Sequence, residues 1–303
     1  MITCFDIGGS TIKAAVANPA GEIEPIERVP TPLQDFDAFC AAIAALVDKG
    51  GAPAGSAVAI SITGVVDPET GIVTCANIPC IDQRRLDAEL GARLERPVVV
   101  ANDADCFVLA EAKAGAGRGH RVVFGAILGT GVGGGMVVDG AIHRGTGGLA
   151  GEWGHGPAAA AFAGTPPVSI PEFACGCGQV RCIDSIGAAR GMERLHKHLH
   201  NRDLPSTAII AAWEAGEPEA ERTIDCMVDL VASPLALVVN IVGPSIIPVG
   251  GGLGNVPALI ARIDVAVRQR ILRRLDRPLV VPAQLTGEPG LLGAAWLALG
   301  SAA

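Results

Sequence analysis

Two glycine-rich hairpin signals, about 120 residues apart, constrain this chain more than any other feature. The first is Thr3-Cys-Phe-Asp-Ile-Gly-Gly-Ser-Thr-Ile-Lys13 and the second is Ala126-Ile-Leu-Gly-Thr-Gly-Val-Gly-Gly-Gly-Met136. Each has a short apolar run, a loop of Gly with Ser or Thr, and a second apolar run that ends at a turn, Gly21 or Gly140. Glycine lets backbone N–H groups come close to an anion, and Ser or Thr hydroxyls add donors. Two such loops predict two halves of like design holding one polyphosphate, hence nucleotide-dependent phosphoryl transfer. A simple hairpin turn explains one loop of this kind equally well. The second loop, Gly129–Gly135, has five glycines in seven positions, more than a turn needs. Glycine weakens a strand, so this density points to a ligand approaching backbone.

A chain of 303 residues has room for two domains, and with 50% hydrophobic and 18% charged residues it can bury a large core. Aromatics are only 3%, with no Tyr, so a stacking platform for single-stranded nucleic acid is not expected. The net charge of −8 argues against any nucleic-acid partner, because phosphate backbones are held by clustered Lys and Arg. A magnesium nucleotide remains compatible. The start, Met-Ile-Thr-Cys-Phe-Asp, has neither a basic nor an apolar leader segment, so no signal peptide is expected. Nine Cys, scattered except for one cluster, fit a reducing cytoplasm better than a disulfide framework. Leu230–Ala261 is free of charge but is interrupted by Pro234, Pro244, Pro248, Pro257 and Gly250–Gly252. A buried helix to about Val242, a buried strand (Ser245–Val249) and a Gly loop are expected there, with no membrane span.

Apolar spacing places paired strands over residues 2–7 and 11–17 and buried strands over Ala57–Ile62, Pro97–Val100 and Val122–Leu128. Ile72–Cys75 follows the turn Asp67–Gly71, and Met136–Asp139 is the expected return from the second loop. Helices are expected over Phe36–Leu46, Leu86–Leu94, Ala104–Lys113, Ile183–His200, Thr207–Ala215, Glu217–Val242 and Pro257–Arg274. A last one, Leu291–Leu299, is expected to be capped by Gly300. Gly115–Gly119 reads as a domain boundary, and Gly145–Cys182 as a long irregular stretch. Helices alternating with apolar strands mean an α/β fold.

Two further motifs can carry chemistry. Asn102-Asp103 ends an apolar strand and opens a helix, a place where α/β sheets bind ligands, though an ordinary N-cap reads the same. If Asp103 is catalytic, Asp105 is the expected cap. Cys175, Cys177 and Cys182 put three thiols within eight residues, which favours a tetrahedral soft-metal site with His155 as fourth ligand. The alternatives are structural thiols, or one disulfide with a free Cys. His196 and His200 share a helix face, but as residues near a helix C-terminus they read as surface histidines rather than a metal pair. Trp153, Trp213 and Trp296 are expected to pack.

In this setting the chain resembles the ROK family, the repressors and sugar kinases of the actin-like ATPase superfamily. The segments that carry the likeness are Asp6-Ile-Gly-Gly-Ser, Asp67-Pro-Glu-Thr-Gly71, Ala76-Asn-Ile-Pro79, Asn102-Asp-Ala-Asp-Cys-Phe107 and Leu128-Gly-Thr-Gly-Val-Gly-Gly-Gly135. They continue with Gly151-Glu-Trp-Gly-His155, the three-thiol cluster, Gly250-Gly-Gly-Leu253 and Gly293-Ala-Ala295, in family order and across nearly the whole chain.

The resemblance implies a two-domain actin-like ATPase (ribonuclease H-like) fold with the active site in a cleft between domains. The small α/β domain would be residues 1–117, completed by a C-terminal helix over 290–303. The large one would be 118–289, with a zinc-binding segment at 145–185. The implied activity is ATP-dependent phosphorylation of the 6-hydroxyl of an N-acetylhexosamine, first of all N-acetylglucosamine, with N-acetylmannosamine and glucose as rivals. Asp103 would be the general base. Gly64, Asn77, Asn102, Glu152, His155 and Asp184 would hold the sugar beside it. Asp6, Gly8, Gly9, Ser10, Lys13, Gly129, Thr130, Gly131, Gly251, Gly252 and Leu253 would bind Mg²⁺ and ATP. His155, Cys175, Cys177 and Cys182 would hold a structural zinc. A cytoplasmic homodimer is implied as well.

Three positions depart from the family pattern. Asp184 stands where Glu is usual, one methylene shorter in reach; Arg181 replaces Gly; and Ser10 replaces Thr. If position 181 needs positive φ, the side chain costs on the order of 1 kcal/mol. Sugar-responsive repressors of the family carry a DNA-binding helix-turn-helix ahead of the first loop. With Asp6 as the sixth residue and an acidic balance, that reading is not expected here. A catalytically dead sugar-binding protein is disfavoured by Asp103 and both loops.

Overall fold

The computed structural model describes residues 1–301. The first elements are β1 (Ile2–Ile7), β2 (Thr11–Ala17), β3 (Ile23–Pro30), α1 (Phe36–Gly50), β4 (Val58–Ile62), β5 (Val65–Val66), β6 (Val73–Thr74), α2 (Leu86–Leu94), β7 (Val98–Asn102) and α3 (Asp103–Ala114). Then follow β8 (Val122–Leu128), β9 (Val132–Val138), β10 (Ala141–Ile142), β11 (Phe162–Ala163), β12 (Val168–Ser169), α4 (Ala189–His200), α5 (Ser206–Glu214) and α6 (Pro218–Val242). The chain closes with β13 (Ile247–Gly250), α7 (Pro257–Arg268), β14 (Val280–Pro282) and α8 (Pro289–Ser301). It divides into two compact units. One comprises Met1–Gly119, Gly135–Ala150 and the segment from Leu285 onward; the other comprises His120–Gly134 and Gly151–Gln284.

Two five-stranded sheets repeat one plan, with orders β3-β2-β1-β4-β7 and β10-β9-β8-β13-β14. In the first, β1 pairs antiparallel with β2 and parallel with β4, and β4 pairs parallel with β7. In the second, β13 pairs parallel with β8 and β14. The duplication seen in the glycine hairpins therefore extends to the sheets. The mixed α/β class expected from the sequence is the class observed.

β1 is buried on both faces, and its alternation separates two cores. Phe5 and Ile7 pack with Phe39, Ile43, Ile60, Leu86 and Leu90 beneath α1 and α2. Ile2 and Cys4 lie in a core of small residues with Ala59, Ala101, Cys106, Ala294 and Ala295 beneath α3 and α8. Small side chains let α8 come close: a Cβ on Gly293 would overlap the Cys106 carbonyl. Asp6 has the same parity as Cys4, so β1 turns its one carboxylate toward the α8 side.

Several elements differ from the sequence expectation. β3 was not expected, because its half-buried residues Ile23, Ile26 and Val29 recur every third position, with Pro25 and Pro30 among them. The prolines are tolerated because β3 is an edge strand, paired with β2 through a register shift at Ala14/Ala15. β9 begins at Val132 rather than Met136, so most of the glycine run is strand. The reason is close approach: a Cβ on Gly134 would lie 2.7 Å from Trp153 Cδ1, and one on Gly135 would lie 2.9 Å from the Ala104 carbonyl oxygen. The expected helix over Ile183–His200 is a single 3₁₀ turn (Ile183–Ser185), a break at Gly187, and then α4. α7 stops at Arg268 rather than Arg274, because the buried Asp264 accepts from the Leu279 and Val280 N–H groups (2.8 and 3.0 Å) and draws the chain back into β14. α8 runs through Gly300 instead of being capped by it. The part of the expected last helix over residues 302–303 lies outside the described residues. Among the described residues one helix, α6, is long and apolar enough to cross a bilayer by length and composition; half of its apolar stretch is buried inside the protein.

Candidate active site

The first glycine loop joins β1 to β2. The Gly8 N–H donates to the Thr11 carbonyl (3.0 Å), and the Thr31 hydroxyl donates to the Gly8 carbonyl (2.7 Å), which fixes the loop from outside. Gly9 lies against Asn77: a Cβ there would be 3.2 Å from the Asn77 carbonyl oxygen. Asp6 and Lys13 are register partners across the hairpin. Lys13 Nζ lies 3.3 Å from Asp6 Oδ2 and 2.6 Å from Glu288 Oε2. Burial works against the Lys13 charge, but the Glu288 hydrogen bond and the Asp6 and Glu288 charges outweigh it and hold its pKa above the ordinary lysine value. Ser61 donates to Asp6 Oδ1 (3.1 Å), and Gly290 stands where any side chain would meet that carboxylate. Sequence reasoning missed Ser61, Glu288 and Gly290. A signal existed for Ser61, the one polar residue in β4, Val-Ala-Ile-Ser-Ile.

Asn102 and Asp103 stand at the C-terminal end of β7 and the start of α3. Asn102, not Asp105, is the cap: its Oδ1 accepts from the Ala104 and Asp105 N–H groups (2.8 and 3.3 Å). Its Nδ2 donates to the Gly64 carbonyl (2.7 Å), which ties the helix start to the expected sugar-side loop. Gly64 has φ 115°, and a Cβ would lie 2.6 Å from the Thr74 carbonyl oxygen, so only glycine fits. Asp105 is 7% exposed and faces Arg144 (4.0 Å). It stands three residues past the cap position, inside the first turn of the helix. Asp103 is exposed and receives the Ala104 N–H (2.9 Å). The capping role has passed to its neighbour, leaving an accessible carboxylate at the edge of the sheet.

In the other unit, the second loop and the Gly250–Leu253 segment meet at the C-terminal ends of β8 and β13, where open α/β sheets bind ligands. Gly251, at φ 82°, lies so close that a Cβ would be 2.5 Å from the Leu128 carbonyl carbon and 2.7 Å from the Gly129 nitrogen. Thr130, Gly251 and Gly252 are exposed, and Leu253 is buried beneath them. Gly129, Thr130, Gly131, Gly251, Gly252 and Leu253 thus form one surface.

Beside it, the ligand atoms of His155, Cys175, Cys177 and Cys182 all lie within 4.8 Å of one another. Cys177 and Cys182 Sγ are 3.6 Å apart, and Cys175 Sγ is 3.7 Å from His155 Nδ1. Tetrahedral zinc with sulfur and nitrogen ligands sets such separations at about 3.5–3.8 Å, so the donor set and its spacing both fit a metal ion. The Gln179 backbone N–H holds the Cys177 thiol down at about 7, while burial pushes Cys175 up to about 12. With Nδ1 turned to the thiols, His155 presents Nε2 to Glu152 Oε2 at 3.8 Å. A metal-bound imidazole characteristically faces a carboxylate in this way. Burial, and then the Asp184 charge, raise the Glu152 pKa, against His155. Asp184 differs from the others: its Oδ1 accepts the Val132 N–H at 2.8 Å.

Arg181 has φ 61°, a left-handed backbone that favours glycine, and its guanidinium pairs with Glu172 at 2.9 Å. Relief of that backbone is worth about 1 kcal/mol, and the exposed ion pair offsets about half of it or less. Arg181→Gly is therefore expected to raise Tm by about 1–3 °C; a fall measured by thermal denaturation would show the pair to be the larger effect.

His196 is not a surface residue: it is 1% exposed, with Met192 and Leu195 on the apolar face of α4. Its Nδ1 lies 2.8 Å from the Thr223 hydroxyl, and burial lowers its pKa.

Against known proteins, the ROK family model matches residues 2–301. The chain is 35% identical over 297 residues to an N-acetyl-D-glucosamine kinase of Escherichia fergusonii, covering 97% of this chain and 98% of that one. It is also 35% identical over 298 residues to an N-acetylgalactosamine kinase of Shewanella sp., with 98% and 96% covered. Among solved structures it is similar to a ROK family glucokinase from Streptomyces griseus in complex with glucose and AMPPNP. That likeness has a TM-score of 0.73, at 29% identity, and covers 97% of both chains.

Proposed function

Because the chain belongs to the ROK family, we propose that it is an ATP-dependent kinase for the 6-hydroxyl of an N-acetylhexosamine, with N-acetylglucosamine as first substrate. The observation that carries this reading is Asp103, an exposed carboxylate at a strand end whose capping duty is taken by Asn102. Phosphoryl transfer asks a protein mainly for positioning and charge neutralisation. Asp103 takes the proton of the attacking 6-hydroxyl, and Asn102, tied to Gly64, fixes the carboxylate's place. Asn77, Glu152 and His155 supply donors and acceptors for the sugar hydroxyls. Backbone N–H groups of the two glycine loops receive the phosphates. The half-buried Asp6, already oriented by Ser61 and Lys13, fits a hydrated Mg²⁺ better than a bare one, since magnesium keeps several waters. When bound, that ion offsets phosphate charge. Zinc is the metal proposed for the three thiols and His155; it would tie Gly154–Cys182 into one piece and orient His155. A cytoplasmic homodimer belongs to the same reading.

Purified protein with Mg-ATP is tested on N-acetylglucosamine, N-acetylgalactosamine, N-acetylmannosamine and glucose. An acetamido sugar is expected to exceed glucose in kcat/KM by at least about tenfold, the scale on which one buried substituent discriminates. No turnover of any of the four would end the proposal. Preference for glucose would keep a kinase but discard the acetamido assignment.

A further inference from the structure

The stretch that carries the metal-ligand side chains also grips the second glycine loop. Trp153 Nε1 donates to the Gly133 carbonyl at 2.8 Å, and the Ala189 N–H donates to the Gly129 carbonyl at 3.0 Å. Between these two, Asp184 Oδ1 accepts the Val132 N–H at 2.8 Å. The same oxygen occupies the place a Cβ on Gly131 would need, so the absence of a side chain at Gly131 makes room for this carboxylate. Asp184 is itself held by its own N–H, which donates to the Gly154 carbonyl at 2.9 Å. Its second oxygen, Oδ2, lies 3.5 Å from Cys175 Sγ.

From this geometry we infer that Asp184 is a positioning residue for the nucleotide loop. The inference rests on the reading of Gly129–Gly131 as a phosphate-binding loop. Oδ1 of Asp184 is engaged by the Val132 main-chain N–H in a charge-assisted bond, which fixes the loop at that point. A loop of glycines is flexible on its own, and its N–H groups receive phosphates well only if they are aligned beforehand. Asp184 supplies that alignment.

The test uses metal-loaded protein carrying Asp184→Ala or Asp184→Asn. Binding of Mg-AMPPNP is measured by calorimetry, KM is measured separately for ATP and sugar, and metal content by elemental analysis. Asp184→Ala is expected to weaken nucleotide binding and raise the ATP KM by about tenfold or more. Metal content should be unchanged. Asp184→Asn keeps an acceptor oxygen for the Val132 N–H, so nucleotide affinity should return to within about threefold of the parent. A rise in sugar KM with unchanged nucleotide binding would overturn the inference, and so would an Asn variant as weak as the Ala variant. Calorimetry needs no turnover. A protein that phosphorylates none of the sugars but shows the Ala/Asn split would refute the kinase reading and keep the brace. Turnover with no split would do the reverse.

Discussion

Asp103→Asn is expected to lower kcat by at least about 10²–10⁴-fold, the usual contribution of a positioned general base. Sugar affinity should change little, and the protein should stay folded. The local structure makes this a clean substitution. The α3 cap is Asn102, which bonds to the Ala104 and Asp105 N–H groups whatever stands at 103. The Ala104 N–H that Asp103 accepts can be accepted equally by an asparagine amide oxygen. What is lost is a negative charge in the first turn of a helix, worth about 0.3–1 kcal/mol of stability at an exposed site, and the ability to take a proton. Single-turnover assays with the chosen sugar, beside sugar binding by calorimetry, separate the two. Parent-like turnover would remove Asp103 from the chemistry, and unfolding would make it structural.

Removing the metal is expected to lower Tm by roughly 5–10 °C. A ligand held at a hundred times its Kd stabilises by about 2.7 kcal/mol, and each kcal/mol moves Tm by about 2–4 °C in a domain of this size. The residues around the ligands have little core of their own; Ala159, Ala163 and Ile170 are the buried apolar side chains between His155 and Cys175. A metal cross-linking His155, Cys175, Cys177 and Cys182 would therefore carry much of their order. One metal per chain by elemental analysis is expected, and Cys177→Ser should lower Tm and weaken sugar binding together, because His155 and Glu152 lose their frame. Acid should have the same effect as chelator, since protons compete for thiolates and imidazole. An unchanged Tm in metal-free protein would sink the structural role.

Much of the fold was legible because the signals are local. Alternation and apolar runs placed β1, β2, β8 and α2 at the residues where they occur. The thiol spacing and His155 identified a ligand set that the structure brings within bonding distance of one ion. The errors share a different origin. β3 reads poorly because an edge strand tolerates proline and needs no strict alternation. The start of β9 reads as loop because its glycines answer to Trp153 and Ala104, residues distant in sequence. His196 looks like a surface residue until α6 delivers Thr223 to its ring.

By itself, then, the sequence determined the duplicated hairpins, the α/β class and the grouping of His155 with three thiols. All of these follow from backbone freedom, periodicity and donor type within short windows. Only the tertiary structure decided that Ser61, Glu288 and Gly290 surround Asp6, that Asn102 rather than Asp105 caps the helix that Asp103 opens, and that Asp184 accepts from Val132. Which partner satisfies a half-buried carboxylate depends on groups brought together by packing, and no local pattern records them.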